Sequence, residues 1–335
     1  MLKLDGTPHK ERLGANAILS ASLAVAQAAA NSSNLPLFHY LGGTVARRMP
    51  VPMFNILNGG AYAKWQGTDL QKIMIAPAGA PSYTEALRWG DEVYHALKNI
   101  LGRGGYSTST SDEGSFTPLL KRNGDALDLI VKAIEKAGYR PGEDIVIAID
   151  TAASDFYENG LYHLHTEDQK LDAEEMVAMY AEWVKQYPIA VLEDGLAEDD
   201  WDGWKRLGSE LGKKIELVGD DLFATNVGRI RRGIKENVAN AVLINLNQIG
   251  SISEAIEAVQ LAYEGGWGVM VSHRGSEMVD SFIADFTVAF GTGQIKAGAP
   301  ACGKLFEKYN QLLSIDEYLG ESAVYAGHKA FMQGK

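Results

Sequence analysis

The sequence predicts an α/β protein built on a (β/α)8 barrel of the TIM type, and three observations carry that expectation. Short apolar runs alternate with longer stretches of helical periodicity along most of the chain. The runs are continuously apolar, as strands buried on both faces are. The 335 residues accommodate a barrel of about 250 with a smaller piece left over. A doubly wound open sheet satisfies the same alternation and stands as the structural alternative.

Each element follows in order. "LGANAILSASLAVAQAAA" is rich in Ala and Leu at helical spacing and predicts a buried helix. In "NLPLFHYLGG" and "RRMPVPMFNILNGG", prolines and paired glycines mark passage between two substructures near residue 50, which divides the chain into 1–48 and 49–335. "KIMIAP" predicts a strand, followed by helices over about 82–101 and 124–137 and then by "DIVIAID". The later alternation pairs "AEEMVAMYAEWVKQY" with "PIAVLED", "DGWKRLGSEL" with "KIELVGDD", "NVGRIRRGIKE" with "NAVLINLNQ", and "SISEAIEAVQLAYE" with "WGVMVSH".

Composition excludes several classes of function. Apolar content of 46% and charged content of 22% are ordinary for a water-soluble chain, and no apolar run approaches the ~18 residues of a membrane span. The first residues lack the basic start and apolar core of a secretory signal. A net charge of −12 supplies no overall basic face for nucleic acid or an anionic membrane. Cys302 is the one cysteine, which rules out an intrachain disulfide and a cysteine zinc site and fits a cytoplasmic protein.

Three apolar runs end in carboxylates: Asp150; Glu193 and Asp194; Asp220 and Asp221. In a parallel barrel the C-terminal strand ends share one mouth, so these acids converge and call for a cation, with Mg²⁺ suited to carboxylate oxygens. Asp at a strand end equally serves as the N-cap of the next helix, the alternative for Asp194 and Asp221. "VSHRGSE" adds His273 and Arg274, and "GQIKAG" adds Lys296, cationic groups suited to a small anionic substrate. Glu113 sits in a Gly/Ser/Thr-rich loop, while "NAVLINLNQ" places an amide, Asn245, at a strand end where a reactive group is expected.

Taken together, "MFNILNGG", "DTAASDFY", "LEDGLAEDDW", "VGDDLFATN", "NQIGSISEAIEA", "VSHR", "GQIKAG" and "KYNQLL" resemble the enolase family, the 2-phosphoglycerate dehydratases (phosphopyruvate hydratases), in family order. The resemblance implies an enolase-type barrel with a partly antiparallel start, preceded in residues 1–48 by the helical end of an α+β domain. That domain's opening sheet and mobile loop have no counterpart in the sequence. It also implies Mg²⁺ as cofactor, Asp150, Glu193 and Asp220 as its ligands, and Gln71, His273, Arg274 and Lys296 around a small phosphorylated carboxylate. Glu113 matches the general acid.

The departures fall on the reactive centre. Asn245 stands where the family has its base lysine, and an amide is not basic in water. Lys72 replaces an acid-cluster glutamate, a local change of about two charge units. Tyr62 replaces a histidine, Ala61 a serine, and a phosphate-contacting serine moves by one position to Ser276. Ser314 replaces an arginine of the family's dimer contact. Two readings follow. In one, the barrel is a magnesium-binding or structural module impaired in dehydration and engaged with a protein partner in a larger assembly. The alternative is an active lyase, either with a missing N-terminal segment supplied from elsewhere or with a rewired site, in which Lys72 acts as base or pairs with Asp220, Asp221 or Glu193. In a further variant Lys72 takes the cation's place.

Overall fold

The computed structural model describes residues 1–275, 279–303 and 305–331. A short turn leads into helices α1 (Ala15–Ser32) and α2 (Leu37–Gly42). Helix α1 is where expected, but it is not buried: only Ile18, Leu19 and Ala30 are sequestered, and Val25 is 67% exposed. Alanine confers helix propensity whatever its surroundings, so an Ala-rich run reports the helix and not its burial. Lys10, just before α1, pairs with Glu254 at 3.0 Å and fixes this segment to the barrel's helical layer.

Among the described residues, eight strands close into a barrel, which excludes the open sheet: β1 (Val51–Asn58), β2 (Lys72–Ala76), β3 (Val146–Asp150), β4 (Ile189–Glu193), β5 (Glu216–Gly219), β6 (Ala241–Ile244), β7 (Gly268–Ser272) and β8 (Gly293–Lys296). Neighbours from β3 through β8 and on to β1 are parallel. Strand β2 runs against both its neighbours, with Lys72 opposite Asn58 on one side and Asp150 on the other. This reversal positions the site: the first residue of β2 lies at the mouth that the other strands reach with their last.

Side chains alternate in and out along each strand. Met53, Met74, Ala76, Ala148, Leu243 and Met270 belong to the apolar cluster inside the ring, while Ile147, Ile149, Val242 and Val271 face the helices. Continuing the inward column by two residues reaches Asn55, Asp150, Asn245, Ser272 and Lys296. Strand period alone therefore directs them to the mouth.

Helices α3 (Tyr83–Arg103) and α4 (Asn123–Lys136) link β2 to β3. The units that follow use α5 (Ala173–Gln186), α6 (Trp201–Leu211), α7 (Val227–Glu236), α8 (Ile252–Glu264) and α9 (Phe282–Phe290), and α10 (Phe306–Leu319) follows β8. Ser82, Asp172, Asp200, Asn226 and Ser251 cap these helices, their side chains accepting backbone N–H bonds in the first turns. At Gly90 in α3 a Cβ would lie 2.2 Å from the Phe54 ring, so only glycine lets this helix approach β1. The opposite end of the barrel is sealed by the C-terminal segment: Val324–Tyr325 pairs with Arg48–Met49, Phe331 enters the inner core, and Gln294 donates to the Ala330 carbonyl at 2.9 Å.

Candidate active site

The mouth is a cavity of about 460 Å³ whose lining includes Gln71, Lys72, Asp150, Asp220, Arg274 and Lys296. Its centre is a run of ion pairs. Lys296 Nζ lies 2.5 Å from Glu193 Oε1 and 3.1 Å from Asp150 Oδ2; Lys72 Nζ lies 3.3 Å from the same Asp150 oxygen. Lys72 thus pairs with Asp150, not with the expected Asp220, Asp221 or Glu193, because β2 and β3 place the two directly opposite.

Burial opposes the ionised form of each of these groups, and their charges decide the outcome. Burial and the neighbouring Asp150 push Glu193 up to about 8, against the pull of Lys296. For Lys72 the burial penalty is outweighed by Asp150 and Glu113, which raise its pKa. Lys296 is raised in the same way by Asp150 and Glu193. Asp150 is lowered because the two ammoniums overcome its burial. Both lysines therefore stand as cations.

Asp194, in the left-handed region at φ 43°, accepts the backbone N–H groups of Asp220 (3.0 Å) and Asp221 (2.8 Å). It shapes the turn after β5 instead of capping a helix. Asp220 accepts from Gln248 Nε2 at 2.7 Å and lies 3.5 Å from Arg274. Oxygens of Asp150, Glu193 and Asp194 lie within 4.8 Å of one another, as do those of Asp194, Asp220 and Asp221. Glu193 Oε2 is buried without a hydrogen-bond partner. An all-carboxylate donor set with an orphaned oxygen fits a hard divalent cation such as Mg²⁺. Asp194 is common to both groups, and each of its oxygens also accepts a backbone N–H.

On the other side Glu113 is fully buried, receives Asn55 Nδ2 at 2.9 Å and faces His273 Nε2 at 3.4 Å. Although burial works to raise it, Lys72 and His273 hold its carboxyl well below the usual range. His273 Nδ1 donates to the Lys296 carbonyl at 2.9 Å, which fixes the ring. Asn245 sits at the end of β6 as N-cap of a single turn, Leu246–Ile249. Its Oδ1 accepts from Asn247 and its Nδ2 donates to the His273 carbonyl, each at 3.4 Å. Tyr62 is 42% exposed at the rim with its ring 5.3 Å from Lys72 Nζ. Ser276 lies outside the described residues.

Sequence reasoning missed Asn55, which orients Glu113, and Asp155, which accepts from Gln71 at 3.2 Å. The signal for Asn55 was an amide interrupting the apolar run "VPMFNIL".

Residues 46–333 match the family model described as "Enolase, C-terminal TIM barrel domain", and residues 1–41 match "Enolase, N-terminal domain". The chain belongs to the enolase family. It is 65% identical to "Enolase 2" of Pseudomonas syringae pv. syringae over 333 residues, covering 99% of this chain and 78% of that relative. It is 57% identical to "Enolase 2" of Methanospirillum hungatei, over 99% of this chain and 78% of that protein. Against "Enolase" of Mycobacterium leprae the identity is 53%, with coverages of 99% and 77%. The enolase barrel with its reversed second strand is thus present. Among the described residues no helix is long and apolar enough to cross a membrane.

Proposed function

We propose that the protein is a magnesium-dependent lyase of the enolase class, acting in the cytoplasm on 2-phosphoglycerate to give phosphoenolpyruvate, with proton removal as its impeded step. The observation that supports this most is the mouth itself. Carboxylates converge there in two groups that share Asp194, one with Asp150 and Glu193 and one with Asp220 and Asp221. Of these Asp150, Glu193 and Asp220 would hold the ion, Glu193 having an orphaned oxygen, while Lys296, Arg274 and Gln71 line the cavity and Glu113 is buried against the cavity-lining His273. Mg²⁺, when bound, neutralises the charge that develops on the substrate carboxylate as the α-proton leaves. The chain's own groups do the rest. Arg274 and Lys296 supply positive charge to an anionic substrate, and Gln71 contributes a polar contact. Lys72, an ammonium beside ionised Glu113, is placed to stabilise or protonate a departing hydroxide.

Asn245 cannot receive the α-proton, and loss of a general base costs on the order of 10² to 10⁴ in rate. Asn245→Lys is accordingly expected to raise phosphoenolpyruvate formation by about that range, and Asp150→Asn to abolish it. Turnover that withstands chelation and Asp150→Asn would overturn the assignment. The amide at 245 also favours a second reading, a phosphocarboxylate-binding module without turnover. No product from either the natural protein or Asn245→Lys, with substrate binding retained, selects that reading.

A further inference from the structure

The mouth already contains a cation that competes for the metal's seat. Lys72 is 8% exposed, its Nζ is 3.3 Å from Asp150 Oδ2, and its backbone pairs directly with that of Asp150. Lys296 holds the same oxygen at 3.1 Å, so one carboxylate carries two ammoniums. Lys296 has a second anchor in Glu193 at 2.5 Å; among the described residues Lys72 has no other ion pair. Its second anionic neighbour is Glu113, whose Oε1 is buried and accepts no hydrogen bond. That oxygen, 3.4 Å from His273 Nε2, is an acceptor without a hydrogen bond in the neighbourhood of a lysine whose present partner would also serve a divalent ion.

We infer that Lys72 is an internal counter-cation that holds Asp150 in the metal-free protein, and that binding of a divalent cation there transfers its ammonium to Glu113. A positive charge within contact distance of a ligand oxygen both repels the incoming ion and must surrender its own pair. Asp150 is consequently neutralised without metal, at the expense of metal affinity. Ion binding also becomes coupled to the state of Glu113, because the displaced ammonium supplies that carboxylate with a close partner. The inference rests on the magnesium-site reading but not on turnover.

The test is a calorimetric titration of the full chain with MgCl2, without substrate, for the natural protein, Lys72→Met, Lys72→Gln and Glu113→Gln. Thermal melting in chelator and in saturating Mg²⁺ accompanies it. Both neutral substitutions at 72 are expected to tighten Mg²⁺ binding by roughly tenfold or more. They are also expected to melt below the natural protein in chelator while gaining more from Mg²⁺. Glu113→Gln is expected to weaken Mg²⁺ binding, because the displaced lysine loses its destination. Unchanged or weaker affinity in both Lys72 variants would overturn the inference, as would unchanged affinity in Glu113→Gln. Absence of Mg²⁺ binding in every variant overturns it together with the metal reading. Tighter binding in the Lys72 variants without any phosphoenolpyruvate formation leaves it standing and refutes only the lyase assignment.

Discussion

A buried carboxylate is stabilised by donors to its oxygens, and the side-chain hydrogen bond that Glu113 accepts comes from a single amide. Asn55 Nδ2 reaches Glu113 Oε2 at 2.9 Å and also lies 3.2 Å from Asn58 Oδ1. Asn55→Leu retains the volume and removes the donor, and is expected to cost about 2–3 kcal/mol in urea unfolding. A loss below roughly 0.5 kcal/mol would show that Glu113 is held by His273 and Lys72 alone. The same scale separates what the sequence shows from what it conceals. Asp150, Glu193 and Asp220 stand out because each closes an apolar run and the parallel strands deliver them to one place. Lys72 begins its run, and a strand's first residue belongs at the barrel floor unless the strand is reversed. Its pairing with Asp150 was therefore hidden until the direction of β2 was known.

The elements around the mouth are held by buried polar links as well as by apolar packing. The segment between β1 and β2 is anchored by Asp69, 1% exposed, which accepts from Asn123 Nδ2 at 2.9 Å and from the backbone N–H groups of His165 (2.9 Å) and Thr166 (3.2 Å). One carboxylate thereby ties the loop bearing Tyr62 and Gln71 to α4 and to the hairpin region of 161–171. Asp69→Ala leaves those donors unpaired and is expected to destabilise by about 2–4 kcal/mol, with faster amide exchange at 165 and 166. Wild-type exchange there would show that water replaces the carboxylate. Gly90→Ala probes the opposite face of β1: its added methyl meets Phe54, and overpacking of this kind costs about 1–3 kcal/mol. Helix positions were legible from apolar periodicity, whereas the exposure of α1 was not. Periodicity belongs to the segment itself, but burial depends on which partner arrives.

Across the whole molecule, α2 is joined to the barrel through Asp285 at the start of α9, which accepts from the Phe38 N–H at 3.1 Å and from Gln311 at 2.8 Å. Burial pushes this carboxyl up to about 6. The folded state then holds a proton that the unfolded chain has released, so stability falls as pH rises from about 4 to 6, by on the order of 2 kcal/mol. The melting temperature of Asp285→Asn should decline less than that of the natural protein over this interval; parallel profiles would assign the slope to other groups. A different consequence follows from how the ring is closed. Strand β8 pairs with β1, and residues 324–325 pair with residues 48–49, so the seam joins segments made far apart in the order of synthesis. At a translation rate of ~10 residues per second, β1 waits roughly half a minute on the ribosome for its partner. Throughout that interval the nascent barrel presents an unpaired edge, and the chain's exposure to aggregation is set by the time its last strand takes to emerge.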